Sequence, residues 1–336
     1  RYNIMMCDLD IVDNRPAIAY SDRATNNIYY VRATDSNGTA WGTPVTVSGA
    51  GMWCDAVSLE VINGRPAIVY NDSVNAYYGV VRYRRATDST GSAWGSAVQV
   101  SAKLETAKTL TLAVVNGYPV VLHHSENGFA YVHALDQNGA SWMAAVNPYP
   151  DGGLYADLEI IKGHPTICHY MHGPKLIYQR SSDIDGLTWF TNPDTPTVVL
   201  EPTAGQYCSM VIAAGYPAVC FHDYYMGNIS LKYRRAQDEY GNSWDAAQVL
   251  DSGSYNIGLH SDMDLVFGIP YICYAEYDPT PNLKAITAQD GQGSTWSAPE
   301  IVAKTNVNWT SVYTVSNWPA LAYVDGYGLR YGIKYQ

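Results

Sequence analysis

Four short segments place two polar side chains on one face of a strand with an apolar residue between them. They are Asp8-Leu9-Asp10, Ser58-Leu59-Glu60, Asp157-Leu158-Glu159 and Asp262-Met263-Asp264. Side chains alternate across a strand, so the polar members share a face and Leu9, Leu59, Leu158 and Met263 point the other way to pack. Carboxylates held close together raise one another's pKa and can supply the proton donor and acceptor of glycoside cleavage. The same oxygens suit a hard cation such as Ca²⁺, which makes Asp8, Asp10, Asp157, Glu159, Asp262 and Asp264 the candidate calcium ligands. Bonding to adjacent strands, or lining a wet channel, is the plainer use. That use is preferred, because the equivalent positions elsewhere are Thr111 and Ala113, and Ser209 and Val211. No resident cofactor is expected.

These segments belong to a repeat. Pro16, Pro66, Pro119, Pro165, Pro217, Pro270 and Pro319 lie 46 to 53 residues apart in similar surroundings, such as "NRPAIAY" and "GRPAIVY". Seven units result, at about 1–50, 51–102, 103–153, 154–205, 206–256, 257–306 and 307–336. No linker or second domain separates them, so 1–336 reads as one domain. Each unit holds a strand, a two-residue turn such as Asn63-Gly64 or Ala214-Gly215, a second strand, a third, a loop and a fourth. Such pairs supply the positive φ of tight hairpins. Nothing has helical periodicity over ten or more residues. Four short antiparallel strands repeated at this spacing predict an all-β fold, a seven-bladed β-propeller. The seventh unit stops after its third strand. A blade without its outer strand, open to self-association or a protein partner, is therefore expected.

The loop after each third strand carries Asp, Gly three residues on and Trp three further: Asp35-Gly38-Trp41, Asp88-Gly91-Trp94, Asp136-Gly139-Trp142, Asp183-Gly186-Trp189, Asp238-Gly241-Trp244 and Asp290-Gly293-Trp296. Asp is expected to accept backbone amides in the turn, Gly to take a left-handed conformation, and Trp to pack between the outer strands of its own blade. The loop resembles the Asp-box of sialidases and other propeller proteins, with Asp one residue further from Gly. In that family the box stabilises the fold away from the catalytic site. The resemblance implies an arginine triad, a Tyr–Glu nucleophile pair and an acid/base Asp in a sialidase. Here Arg32, Arg85, Arg180 and Arg235 recur in one column, with His133 and Lys334 in other blades, so blade structure accounts for them and sialidase activity is not expected.

In a blade of this kind the 2–3 loops and blade connections share one face of the disc, and binding residues collect on loops held by a rigid scaffold. That face is rich in aromatics and acids. The candidate ligand-binding residues are Trp53, Asp72, Tyr78, Asp223, Tyr224, Glu276, Tyr277, Trp309 and Asp325. Aromatic faces pack on sugar C–H groups while carboxylates take hydroxyls. His123, His124, His169 and His222 end successive second strands, too far apart for one metal at about 2 Å, and are expected as polar lining. Cys168, Cys220 and Cys273 share a column with Ala19, Val69 and Leu122, which is the mark of a small buried apolar site. A Cys7–Cys54 disulfide is possible but not favoured, and Cys208 is unassigned.

Charged residues are 15% and the formal net charge is −11, with 29 Tyr against 4 Phe. This argues against a nucleic-acid partner, which needs clustered Lys and Arg. No apolar run reaches the roughly 18 residues of a membrane span. The chain opens on Arg1, as a processed or excised piece would. Along its whole length it resembles seven-bladed propeller lectins and secreted bacterial repeat propellers. That resemblance implies a secreted or surface-exposed, non-catalytic module binding glycans or cell-surface glycoconjugates. A structural sheath or fibre component, and a glycoside hydrolase or lyase using the inner carboxylates, stand as alternatives.

Overall fold

The computed structural model describes residues 4–334 apart from 49–55, 74–78, 105–108, 126–127, 150–152, 172, 174, 190–196, 204, 226, 254–255 and 278–279. It is all-β, with seven antiparallel blades arranged as a propeller. The first strands of the blades are Ile4–Val12, Val57–Ile62, Leu110–Val115, Leu154–Ile161, Gln206–Ala213, Ile257–Val266 and Val307–Val315. They pack against one another in ring order, the seventh against the first. Blade three's fourth strand is reduced to one bridge, Tyr131 to Val146. Blade seven has three strands, ending with Gly328–Ile333.

The first-to-second turns behave as their residues dictate. Asn63-Gly64 takes φ of 46° and 72°, the left-handed pair that a right-twisted hairpin needs. Asp13-Asn14, Phe267-Gly268 and Ser316-Asn317 adopt it too, although two of these turns contain no glycine. Three arginines of the third strand, Arg32, Arg85 and Arg235, secure these turns. Arg85 donates from Nε to the Ile62 carbonyl at 2.9 Å and from an NH2 nitrogen to Asn63 at 2.8 Å. Arg235 does the same to Ala213 and Ala214. Lys334 is not in this column, because Ile333 pairs with Ala320 as Arg32 pairs with Ala17.

The Asp-Gly-Trp loop is built as expected at Asp and differently at Trp. Asp35 accepts the amides of Asn37, Thr39 and Ala40, and these bonds, led by Thr39, hold its carboxyl down at about 2. Trp41 does not wedge between the strands of its own blade. Each loop tryptophan meets a tyrosine of the preceding blade edge-on: Trp94 on Tyr30 at 5.3 Å, Trp142 on Tyr83, Trp189 on Tyr131, Trp244 on Tyr178 and Trp296 on Tyr233. Trp41 meets Tyr331 of blade seven at 4.9 Å, across the seam that closes the ring. Each tyrosine donates its hydroxyl to a loop carbonyl, Tyr30 to Thr90 at 3.0 Å and Tyr331 to Asn37 at 3.1 Å. The tyrosine ring lies so close to the loop glycine that a Cβ on Gly91 would sit 2.4 Å from Tyr30. Glycine is thus required twice, for its φ of 77° and for the ring beside it.

The core lies between blades. Cys7, Leu9 and Ile18 of blade one pack with Val315, Ala320 and Val324 of blade seven. Cys168, Cys220 and Cys273 are fully buried. Cys7 is a buried free thiol, and Cys54 lies outside the described residues.

Candidate active site

The inner strands turn their polar column into a central channel. Asp8, Ser58, Thr111, Asp157, Ser209, Asp262 and Ser311 line a cavity of about 190 Å³ at the blade-connection end. Each oxygen reaches sideways to the next blade. Asp8 accepts the amide of Leu59 at 2.8 Å, Asp157 that of Met210 at 2.7 Å and Asp262 that of Val312 at 2.7 Å. Ser58, Ser209 and Ser311 accept the amides of Leu112, Met263 and Leu9 in the same manner. At the seam between blades three and four, the Leu158 amide turns back to Asp157 instead. The expectation of bonding to adjacent strands holds for these side chains, between blades rather than within one.

Two residues earlier on each strand lies the mouth. Tyr155, Tyr207, His260 and Trp309 arc around it over blades four to seven, with Met6 and Thr109 on the other side. Tyr155 and Tyr207 stack obliquely at 4.2 Å, Tyr207 and His260 at 4.6 Å, and His260 and Trp309 at 5.7 Å. Tyr155, Tyr207 and His260 have φ of 54°, 51° and 49°, each where its strand slips register against the second. Left-handed backbone at a bulky residue costs about 1 to 3 kcal/mol and collects at functional sites. The neighbouring blade holds it in place. Cys208 Sγ donates to the Tyr155 carbonyl, Ser261 Oγ to that of Tyr207, and Thr310 Oγ1 to that of His260.

Two residues deeper, Asp10, Glu60, Glu159 and Asp264 continue the acidic column. Burial raises every carboxyl in the channel, and the like charges of neighbours add to this for Asp10, Glu60, Asp157, Glu159 and Asp262. Asp157 is pushed up to about 6 and Asp262 to about 7. Asp10 reaches about 7, Glu60 and Glu159 about 8, while Asp8 and Asp264 are raised as well. Asp8, Asp157 and Asp262 are half-buried by surface, since protein surrounds them while one side opens on the cavity. Burial lowers His260 to about 4, leaving it neutral near pH 7. No group of three or more His, Cys, Asp or Glu among the described residues is placed to hold a metal ion, so the calcium reading of Asp8, Asp10, Asp157, Glu159, Asp262 and Asp264 gains no geometric support.

The acids on the 2–3 loop face are engaged in their own blades. Asp72 pairs with Arg82 at 3.0 Å, Asp223 with Lys232 at 2.6 Å, Glu276 with Lys284 at 3.0 Å and Asp325 with Arg330 at 3.4 Å. Tyr224 is well exposed. Tyr277 donates to the Val307 carbonyl and lies 2.9 Å from His260 Nε2, so it braces the mouth from behind. Trp309 lies in the mouth itself. Trp53 and Tyr78 fall outside the described residues. The histidines expected as polar lining are packed instead: His123, His169 and His222 are buried, and His169 lies 5.0 Å from Phe129 and 4.9 Å from Tyr149. Tyr155, Tyr207 and Trp309 are legible in the sequence as blade-connection aromatics, but His260, which joins them, is not. The shared signal is a bulky residue two before the polar column position, Asp157, Ser209, Asp262 and Ser311, in four consecutive units.

No family model matches the chain, and a search of curated proteins returns no match. Solved structures share the fold. The NanB sialidase of Streptococcus pneumoniae superposes with a TM-score of 0.52 at 11% identity, over 98% of this chain and 67% of that one. The Trypanosoma rangeli sialidase in complex with sialic acid gives 0.54 at 12%, over 84% of this chain and 53% of its own. A mutant of AofleA from Arthrobotrys oligospora gives 0.56 at 10%, over 91% and 88%. At such identities the likeness is one of fold. It nevertheless contradicts the expectations of a non-catalytic recognition module and of a chain that is no enzyme so far as these were drawn from the propeller fold. Propellers of this form include sialidases, which are enzymes, and those two superpose over 98% and 84% of this chain.

Proposed function

We propose that the chain is a glycoside-cleaving enzyme working at the mouth of its central channel. The observation that carries this reading is geometric: two carboxyls, Asp157 and Asp262, line one cavity, and burial raises both towards neutrality. Two such groups can divide the roles of acid and base. Asp262 holds a proton for the leaving glycosidic oxygen. Asp157, ionised first, faces the positive charge that develops at the anomeric carbon and takes the proton of the incoming water. The arc of Tyr155, Tyr207 and Trp309 gives the sugar an aromatic wall, and its bracing from the next blade keeps it in place without ligand. Among the described lining residues there is no Lys or Arg, which speaks against a sialic-acid carboxylate as the group recognised.

The Asp-Gly-Trp loops fit this reading as a diverged Asp-box with a scaffold role. Glycans are then the partners, as substrates, and a secreted or surface-exposed setting suits them. The test is a screen of 4-nitrophenyl glycosides with the wild type, Asp157→Asn and Asp262→Asn. Loss of general acid–base catalysis costs on the order of 10²- to 10⁴-fold, so each variant should fall by that much while its melting temperature shows it folded. Undiminished hydrolysis in both variants would refute the assignment.

A further inference from the structure

We infer that the sugar bound at this mouth is an amino sugar carrying a free ammonium group, an inference that rests on the glycoside-cleaving reading and narrows its substrate class. Three carboxyls, Asp8, Asp157 and Asp262, meet in the cavity, and none of the described lining residues is Lys or Arg. Arginines elsewhere in the blades are spent on hairpin carbonyls, as with Arg85 and Arg235. His260 is neutral and adds an uncharged ring. Tyr155, Tyr207 and Trp309 share the lining with these acids, and an aromatic ring attracts a cation held over it within about 6 Å of its centre. Acids and aromatic side chains together form a receptor for an organic cation. The same field repels a sugar carboxylate or sulfate. The size agrees: about 190 Å³ is below the roughly 300 to 1,000 Å³ of pockets for drug-sized ligands, so one ring enters rather than a chain.

An ammonium entering here favours the ionised form of the carboxyls. Binding should therefore release protons near pH 6, where Asp157 is still partly protonated. A neutral sugar has no such effect.

The experiment is titration calorimetry on the whole chain at pH 6.5 and low salt, with D-glucosamine, N-acetyl-D-glucosamine, D-glucuronate and cyclohexylamine as probes, in two buffers of different ionisation enthalpy. Glucosamine should bind at least ten-fold more tightly than N-acetylglucosamine, with buffer-dependent heat from released protons, and glucuronate should not bind. Asp8→Asn, which removes one of the cavity's three carboxyls, should weaken glucosamine several-fold more than it weakens N-acetylglucosamine. Equal affinity for glucosamine and N-acetylglucosamine, binding of glucuronate, or no binding of glucosamine overturns the inference. Cyclohexylamine binding as tightly as glucosamine overturns its sugar part. The two readings separate cleanly. Cleavage of neutral aryl glycosides without glucosamine selectivity leaves the hydrolase and removes the amino sugar, whereas selective glucosamine binding without any cleavage does the reverse.

Discussion

Glu159 shows what a single residue of the channel does to the molecule. Burial, and then the charge of Asp157, push its carboxyl up to about 8. The folded chain therefore keeps this proton at pH values where the unfolded chain, with an ordinary Glu near 4.3, has lost it. Folding takes up a proton, so the stability linked to it is complete below about pH 4 and is lost as pH rises towards 8. Glu60 and Asp10 act in the same direction. Thermal melts should fall by several degrees between pH 5 and pH 9, and Glu159→Gln should flatten that slope and raise the melting temperature at pH 8.5. A melt unchanged across this range would show that these carboxyls are solvated in the folded chain. The acidic column could be read from the sequence because alternation alone places it on one face. The mouth could not, since Tyr155, Tyr207 and His260 depend on a slip of register that no periodicity announces.

At the scale of the element, the unit of construction is a blade together with the loop of the next. The Asp-Gly-Trp spacing and the turns are visible along the chain, because both are local chemistry. The tyrosine that completes the loop lies some sixty residues away, Tyr30 for Thr90, so single-unit reasoning misplaced the tryptophan. One signal was present: the tyrosine column holds Ala285 in blade six, whose following blade shows no such loop among its described residues. Gly64 and Gly91 separate the two demands on glycine. Both have φ above 70°, but nothing lies within 4 Å of a Cβ on Gly64, while Tyr30 fills that place at Gly91. Gly64→Ala should cost about 1 to 2 kcal/mol from backbone conformation. Gly91→Ala should cost about 2 to 5 kcal/mol, overpacking adding to the same term. Equal costs in chemical denaturation would remove the tyrosine from the account.

At the scale of the whole molecule, the ring closes with the devices used at its other seams. Leu9 donates to Ser311, Tyr331 to Asn37 and Ser316 to Ser36. The fourth strand expected to be missing from blade seven is absent among the described residues, and the seam to blade one is made without it. Tyr331→Ala should loosen that seam first, with amide exchange in Ile4–Val12 and Val307–Val315 rising above that in the inner strand of blade four. Uniform protection would place ring closure elsewhere. The seven-fold fold was legible because repetition multiplies a weak local pattern. The chemistry of the channel was not, because its acids gain their properties from neighbours on other blades.

The most direct measurement is therefore the pH dependence of glycoside hydrolysis. With Asp157 required ionised and Asp262 required protonated, kcat/KM should follow a narrow bell with its maximum between pH 6 and 7. Asp262→Asn should remove its alkaline limb together with most of the rate. A profile flat from pH 5 to 9, one unaltered by Asp262→Asn, or the absence of hydrolysis across the glycoside panel would contradict the account.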